Sequence, residues 1–522
     1  MNDTTLQRLA LHGQNVIQWT NGAWVLTVTV LVLLLAHYPT RRVPFPNSAP
    51  PLVKGNLPVV GALRFFTSRG TFLKEGASAS KTGNFSFYVG KHRVVGVSGL
   101  DGRRAFYESK QLSSHQGYEV LLSASPGHGN ADPEDAFATW FSRKLIKLLK
   151  REYFVKILPH LISDASSFYE RLASHCGPDN TSGSTGMFDP FVEMNRIVFQ
   201  LTMRTVGAAE IAAGSEHDGL LARSFDLVRQ IGDNSSTARI IVPWLPTWRH
   251  VKRVIAAGRF HRILDGLARE RERTGRREDD AMQLLLDEGE SGTKIVEWIV
   301  LAVLAGQLNS GWNAAWVFCF LAMDPHWMRE VRAEVDRAVA KHRSGDPKQT
   351  PLDVLSNMGI DDWERDFPLV NLCLHESIRI VTVGAGFRRN ISGKDVPIGR
   401  TGDVIPPGAF AAFHIDQIHM DPQIYTDPTR FDPARFLPGR EEDKKVPLAY
   451  AGWGQGRHPC LGMKFAKLEH AVLTVVLLVM FDYELCDARG ITVTEGADID
   501  RDKIGVDKPG VPLYLKYTRR RD

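Results

Sequence analysis

The chain has 522 residues, a length that suggests two to four domains or one large one. Apolar residues make up 43% of it and charged residues 24%, an ordinary globular mixture that excludes a disordered chain and a many-helix membrane transporter. The net charge of +5 is too small over this length to indicate nucleic acid as a partner. The five cysteines form no CxxC pair, which excludes a disulfide scaffold and a thiolate zinc site and fits a reducing compartment.

The N-terminal segment is the first predicted element. Residues 23–36 carry no charge, and extension to residues 16–38 reaches the length that spans a bilayer. Arg41 and Arg42 follow at once, against a lone Arg8 before the segment, so the positive-inside rule leaves the rest of the chain in the cytosol. A cleaved signal peptide is the alternative, but no clear small-residue cleavage site precedes Arg41. We therefore predict a single-pass membrane anchor over residues 1–38.

A proline-rich hinge is predicted next, over residues 39–66. Residues 44–61 contain five prolines, and proline fixes φ and removes a hydrogen-bond donor, so the stretch predicts a stiff extended spacer. We find no repeat and no interior linker after it. Residues 67–522 are therefore predicted to form one large domain.

The centre of this domain is predicted to be helical. Apolar residues recur at helical spacing from about 133 to 345, with interruptions at 175–186 and 234–246. The longest helix is predicted from Thr293 to Met323, ended by Asp324-Pro325, because proline disfavours helix in the residue before it. This helix is apolar enough to be a second membrane span, but burial of polar groups in hydrocarbon is costly. A central buried helix is the better prediction, since the segment contains Glu297, Gln307, Asn309, Ser310 and Asn313.

The remaining elements complete a fold that is mainly α with a small β portion. They are helices near 325–342 and 366–381, strand-type runs in 383–413, an irregular stretch over 414–450, a helix from after Pro459 to about Met480, and short strands in 484–518.

The densest chemical signal is a glycine-rich loop around one thiol. Residues 451–469 read AGWGQGRHPCLGMKFAKLE, in which Gly452, Gly454, Gly456 and Gly462 flank Cys460. Backbone amides of such a loop, with the positive end of the helix that follows, are expected to stabilise a thiolate. One cysteine cannot form a closed zinc site, but it suits a metal whose other positions are filled by a macrocycle, as in haem. The alternative is a buried free cysteine in a tight turn.

At this loop the sequence resembles the cytochrome P-450 (haem-thiolate) family, including its fungal secondary-metabolism members. The family's loop reads F-x-x-G-x-R-x-C-x-G, and WGQGRHPCLG matches it at Cys460, Gly456 and Gly462. Trp453 stands where phenylalanine is usual, and His458 stands where an arginine binds a haem propionate. The resemblance covers the chain after the anchor. It implies the P-450 fold, with haem iron bound by the Cys460 thiolate.

A second match is Glu376-Ser377-Ile378-Arg379, the family's E-x-x-R motif. Its i, i+3 spacing puts both charged side chains on one helical face, although most such pairs are solvated surface salt bridges. Arg435 in FDPARF stands where the family has a third partner. The resemblance implies a buried network of Glu376, Arg379 and Arg435 that braces the haem loop.

A third match lies in the long helix, where the family places A/G-G-x-acid-T-T over the distal haem face. Ala305 and Gly306 match and are expected to leave room for dioxygen, but Leu308 replaces the acid and Asn309 the alcohol. The acid–alcohol pair of the family delivers protons, so Asn309, Ser310 and ordered water are expected to substitute for it. The alternative is that Asn309 only satisfies a hydrogen bond in the core.

Further haem contacts are implied less specifically. Arg388 or Arg389 lies where the family has an arginine that binds a propionate, and we expect Arg388. Trp140 and Lys144 stand in place of the family's W-x-x-x-R. The charges near Lys144 are expected either to steer an acidic reductase or to form a plain solvated face.

The resemblance implies a monooxygenase of the endoplasmic reticulum membrane, with its catalytic domain in the cytosol. Electrons would come from NADPH through a separate reductase, since no flavin or nicotinamide motif is apparent. Dioxygen and a lipophilic terpenoid, steroid or polyketide would be its substrates. The alternative is a haem-thiolate isomerase or dehydratase that rearranges a peroxide without a reductase. A non-catalytic haem binder is the third interpretation.

Overall fold

The structure is a computed structural model. It describes residues 42–121, 136–174, 185–214, 219–242, 245–494 and 498–520. The predicted membrane anchor over residues 1–38 lies outside the described residues.

Helices dominate the described part of the chain. In chain order they are α1 (Arg64–Thr67), α2 (Arg69–Ser78), α3 (Gly99–Glu108), α4 (Ser114–Leu121), α5 (Ala136–Leu148), α6 (Arg151–Ser174), α7 (Pro190–Val206), α8 (Ala209–Ala212), α9 (Leu220–Asp233), α10 (Ala238–Ile241), α11 (Trp248–Thr274), α12 (Ala281–Asp287), α13 (Gly292–Met323), α14 (Pro325–His342), α15 (Pro351–Asn357), α16 (Ile360–Asp366), α17 (Pro368–Val381), α18 (Asp416–His419) and α19 (Met463–Met480). Two 3₁₀ helices, Pro433–Phe436 and Glu442–Lys444, interrupt the irregular stretch before α19.

The strands are short and form a minor part of the fold. They are β1 (Asn56–Leu57), β2 (Gly61–Ala62), β3 (Phe85–Val89), β4 (His92–Val97), β5 (Leu112–Ser113), β6 (Thr185–Phe188), β7 (Ala385–Asn390), β8 (Val396–Pro397), β9 (Val404–Ile405), β10 (Phe410–His414), β11 (Phe481–Cys486) and β12 (Tyr514–Arg519). The largest sheet has the order β1-β2-β3-β4-β10-β7-β5, and β11-β12-β6 and β8-β9 form smaller ones. The predicted fold class, mainly α with a small β portion, is confirmed.

Helix α13 is the central helix of the domain. It packs against α7, α11, α17 and α19, and its Trp298 and Trp316 are fully buried. Among the described residues it is the one helix long and apolar enough to cross a membrane. Packing against four other helices accounts for that composition. The predicted buried position of this helix is therefore confirmed.

The sequence determines where α13 ends and α14 begins. Asp324 has an extended backbone, and its side chain accepts hydrogen bonds from the main-chain N–H of His326 at 3.0 Å and of Trp327 at 3.2 Å. Pro325 occupies the first turn of α14, where its missing N–H costs nothing. The predicted helix over 325–342 agrees with the structure for this reason.

The described part of the predicted hinge is not a free spacer. Arg42 Nε donates to the Gly90 carbonyl at 3.2 Å, and the Tyr88 hydroxyl donates to the Val43 carbonyl at 3.1 Å. Strands β1 and β2 then extend the edge of the largest sheet. Prolines do not prevent this, because an edge strand needs only part of its backbone groups for pairing. Residues 42–66 are thus held against the domain.

Candidate active site

Glu376, Arg379 and Arg435 form a network in the interior. One turn of α17 separates Arg379 from Glu376, and Arg379 Nε and Nη2 each donate to the carboxylate at 2.8 Å. Arg435 lies in the 3₁₀ helix Pro433–Phe436 and donates through Nε to Glu376 Oε1 at 2.9 Å. All three side chains are 0% exposed. The structure therefore contradicts the alternative of a solvated surface salt bridge.

Arg435 also holds the chain segment that precedes it. Its Nη2 donates to the carbonyls of Asp427 at 2.8 Å and Arg430 at 2.9 Å, and its Nη1 donates to Glu442 Oε2 at 3.0 Å. A guanidinium has five donors in a fixed plane, so one arginine can satisfy this many acceptors. The irregular stretch before α19 is thereby fixed to Glu376.

His419 joins the network to the cysteine loop. Its carbonyl accepts from Arg379 Nη1 at 2.6 Å, and its ring Nε2 accepts from the main-chain N–H of Ala451 at 2.9 Å. Burial, with the charge of Arg379 as a smaller cause, lowers the pKa of His419 well below its usual value. The ring is therefore neutral and can accept a hydrogen bond. His419 could not be predicted from the sequence, because no local pattern marks this lone histidine.

The cysteine loop has a shape that requires glycine at Gly456. This residue has a φ of +59°, and an added Cβ atom would lie 2.3 Å from the Tyr107 carbonyl oxygen. The next main-chain N–H, of Arg457, donates to the same oxygen at 3.1 Å. The Cys460 N–H donates to the Trp453 carbonyl at 2.6 Å, which closes the loop. The loop is thus fixed to the end of α3.

The Cys460 side chain is exposed, just before the first residue of α19. Protein nevertheless surrounds it closely enough that burial raises the pKa of its thiol, and the main-chain N–H of Gly462 offsets only part of this effect. The amide thus acts in the expected direction, toward the thiolate, while burial acts against it. A coordinated metal ion deprotonates a thiol outright, so iron bound at this loop would hold Cys460 as a thiolate.

A second histidine that could not be predicted from the sequence, His375, contacts the Trp453 side chain. Trp453 Nε1 donates to His375 Nδ1 at 3.2 Å, and the His375 ring stacks on Tyr450 with centroids 3.8 Å apart. Burial, more than the nearby Lys467 charge, lowers the pKa of His375 to about 3, so its Nδ1 stays an acceptor. These contacts therefore fix the position of the Trp453 ring.

Arg388 and Arg389 point to opposite faces of β7, which distinguishes them. Arg388 is 3% exposed, lies 4.8 Å from the Phe106 ring and has Nη1 3.5 Å from the Tyr107 carbonyl, beside the cysteine loop. Burial lowers its pKa to about 10, and no carboxylate in the described ranges pairs with it. Arg389 instead donates to Gln116 at 3.3 Å. Of the two, Arg388 is therefore the better candidate for a propionate.

These residues fit a haem. A buried guanidinium without an anion would be stabilised by a propionate, and an exposed thiol on a fixed loop suits an axial ligand. An added Cβ at Gly462 would meet no protein atom within 4 Å, so this side of the loop is open. His458 is exposed on the same loop. Cys460, Arg388 and His458 would hold the group.

The long helix presents two different faces at its predicted catalytic residues. Ala305 and Asn309 are exposed, although most of α13 is buried. Gly306 lies against α7, where an added Cβ would be 3.0 Å from Thr202 Cγ2. Residues four apart share a helical face, so Ser310 is on the Gly306 side. Asn309 thus faces the open side and Ser310 faces the packed side; the side chain of Leu308 is not described.

The basic helix α5 forms ion pairs within the chain. Trp140 Nε1 donates to Glu290 at 2.9 Å, and Lys144 Nζ lies 2.7 Å from the same residue. Lys144 and Lys147 both also contact Glu288. Their charges are therefore partly neutralised within the fold and give little support to either a propionate contact or a docking role.

Comparison with known proteins gives consistent results. A family model described as Cytochrome P450 matches residues 50–499. Cytochrome P450 monooxygenase AacuE of Aspergillus aculeatus is 31% identical over 516 residues, which cover 96% of this chain and 98% of that protein. Sterol 14-demethylase of Arabidopsis thaliana is 24% identical over 532 residues, covering 98% and 99% respectively. A solved structure described as retinoic acid bound cyanobacterial CYP120A1 shares the fold, with a TM-score of 0.68 at 20% identity over 90% of this chain and all of that one.

Replacing Glu376 tests the buried network. Glu376→Ala leaves two buried guanidinium groups without their carboxylate, which is expected to destabilise the domain by about 3–5 kcal/mol. We expect little or no haem-loaded protein, measured as haem absorbance per soluble chain. Glu364→Ala is the control, because Glu364 forms an exposed ion pair with Arg151. Normal haem content in Glu376→Ala would contradict the role assigned to the network.

The two adjacent arginines of β7 provide a matched pair of variants. Arg388→Gln removes the buried cation beside the cysteine loop, whereas Arg389→Gln removes one on the opposite face of the strand. Because hydrogen bonds to charged groups contribute about 1.5–3 kcal/mol, Arg388→Gln should weaken haem binding by roughly tenfold or more. Haem transfer to apomyoglobin measures this loss. Equal haem retention by the two variants would exclude Arg388 as the propionate ligand.

Proposed function

Because the chain belongs to the cytochrome P450 family, we propose that it is a membrane-anchored monooxygenase that oxidises a lipophilic substrate with electrons from an NADPH-dependent reductase. P450 proteins are haem-thiolate enzymes, so haem iron is the cofactor. The observation that carries the proposal is the exposed Cys460 thiol on a loop fixed by the Glu376 network.

The haem and the residues of this chain would contribute different functions. Haem bound through a thiolate would supply the activation of dioxygen. Cys460 would supply the sulfur ligand, and Arg388 would supply positive charge to a propionate. The glycine-dependent loop keeps the sulfur in place, because Gly456 and Arg457 are both fixed at the Tyr107 carbonyl.

Asn309 is the polar side chain that we assign to the reacting side. It is exposed on α13, one turn after Ala305, whose methyl group leaves space next to it. An amide can donate and accept a hydrogen bond but does not ionise. Asn309 would therefore orient water that brings protons in, in the position where the family more often has an alcohol. Leu308 has no group that could take part.

The apolar surface near the start of α11 supports a membrane location. Trp248 is 69% exposed, and Val254 and Ile255 are exposed on the same helix. The nearby α10 contacts the β3–β4 turn, where an added Cβ at Gly90 would lie 3.2 Å from Ile241 Cα. Arg42, the first described residue, binds that same turn. We propose that this surface and the predicted anchor both contact the endoplasmic reticulum membrane.

Deletion of residues 1–38 tests the anchor. We expect the truncated protein to lose carbonate-resistant membrane binding.

The substrate proposed is a rigid lipophilic molecule, a terpenoid, steroid or polyketide of secondary metabolism. Two considerations support it: a location at the membrane favours lipophilic molecules, and one relative is named as a sterol demethylase. Exposed Arg457 and Lys464, on the loop and at the start of α19, offer positive charge to an acidic reductase.

The second candidate function is rearrangement of a peroxide substrate without a reductase. The observation that favours it is Leu308-Asn309, which lacks the acid and the alcohol that deliver protons. The names of the relatives favour the monooxygenase.

Turnover in heavy-isotope dioxygen separates the two functions. The protein and a P450 reductase are incubated in lipid vesicles with terpenoid, steroid and polyketide candidates that shift the haem spin state. We expect a product with one labelled oxygen atom, formed only when NADPH and reductase are both present. The same protein without reductase, given a lipid hydroperoxide, should return it unchanged. Rearrangement of the hydroperoxide, with no labelled product, would contradict the monooxygenase.

A further inference from the structure

A buried carboxyl group lies behind the long helix and has no partner of opposite charge. Glu469 of α19 is 0% exposed, and no lysine or arginine in the described ranges pairs with it. An isolated carboxylate in a protein interior is costly, so such a group takes up a proton instead. In agreement, burial raises the pKa of Glu469 well above its usual value. The side chain is thus a neutral carboxylic acid.

Two hydroxyl groups lie at this acid. They belong to Ser310 of α13 and Thr202 of α7, and they offset part of the effect of burial on the Glu469 pKa. Neither contact has the geometry of a standard hydrogen bond to the carboxyl oxygens, and Thr202 Oγ1 has no partner in the described structure. A neutral acid can accept from one hydroxyl and donate to the other.

The residue after Glu469 contacts the same turn of α13. The His470 ring interacts with the main chain of Ser310, and burial lowers its pKa to about 3, so the ring is neutral. Helix α19 therefore reaches Ser310 with two side chains. Glu469 contacts the Ser310 hydroxyl, and His470 contacts the Ser310 backbone.

The opposite face of this turn carries Asn309. Gly306 and Ser310 face α7 and α19, as the 3.0 Å approach of an added Gly306 Cβ to Thr202 indicates. Ala305 and Asn309 are exposed. A hydroxyl that binds Glu469 cannot at the same time donate to the open side. Ser310 and Asn309 therefore have separate roles: Ser310 faces the packed side of α13, and Asn309 faces the open side.

We propose that Glu469 is a positioning residue, which binds the Ser310 hydroxyl from behind α13 and thereby fixes the turn that presents Asn309 to the substrate side. The proposal deepens the proposed function and rests on it for the role of Asn309. Glu469 does not replace the acid that is missing at Leu308. A carboxylic acid is present at this turn, but it comes from α19 and orders the helix instead of carrying protons.

The contact between Glu469 and Ser310 can be tested without measuring enzyme activity. A buried neutral acid gives an infrared carbonyl band that an ionised carboxylate does not, so the wild-type spectrum should lose one such band in Glu469→Gln and Glu469→Leu. Glu334→Gln, which alters another buried carboxyl that accepts from Leu369 and Val370, should leave that band in place. In unfolding experiments, Ser310→Ala and Glu469→Leu should be non-additive, because they remove one contact. Absence of the band, or additive effects, would overturn the proposal.

The positioning role is tested by the fraction of NADPH electrons lost as hydrogen peroxide. Glutamine preserves a neutral donor and acceptor, so Glu469→Gln should stay near wild type. Glu469→Leu and Ser310→Ala should raise peroxide release per product by about fivefold, the effect of one hydrogen bond, at unchanged haem content. If Glu469→Gln were as uncoupled as Glu469→Leu, the acid would carry protons and the proposal would be wrong. A wild type that oxidises no NADPH would overturn the proposed function, while the infrared and unfolding results would still decide the contact.

Discussion

The carboxylate of Glu376 is the interaction on which the rest of the site depends. It accepts hydrogen bonds from two buried guanidinium groups, and all three side chains are shielded from water. Charges in such a place are tolerated only as a complete set, since removal of one leaves the others unpaired. The set joins α17 to the irregular segment before α19 and, through His419, to the first residue of the cysteine loop. A rigid loop around Cys460 follows from this arrangement.

Helix α19 connects the two sides of the site. It begins just after Cys460, and farther along it brings Glu469 and His470 to the turn of α13 that carries Asn309. The same helix thus supports the metal ligand and the helix opposite. Neither the Cys460 thiol nor the Asn309 amide is held in place by its sequence neighbours alone. This accounts for an exposed thiol and an exposed amide within a buried frame, a combination that suits a cofactor bound on one side and a reactant on the other.

Local signals determined which parts could be predicted. The end of α13 and the bounds of α14 followed from Asp324-Pro325, and the partners of Glu376 followed from spacing and family resemblance. His419 and His375 were missed because their partners, Ala451 and Trp453, are 32 and 78 residues away along the chain. The extent of burial at the Cys460 thiol could not be predicted, since burial depends on how distant segments pack. Glu469 looks like any helical glutamate in the sequence, and only the tertiary structure brings the hydroxyl groups of Ser310 and Thr202 to it.

The visible spectrum of the reduced, carbon monoxide-bound protein tests the central claim most directly, because the carbonyl band depends on the atom opposite the gas. We expect the red-shifted band of a thiolate-ligated haem in the wild type. Cys319→Ser, which alters a buried core thiol, should keep that band, and Cys460→Ser should lose it. A thiolate-type band in Cys460→Ser, or a wild-type chain that stays colourless with ample haem, would contradict the account.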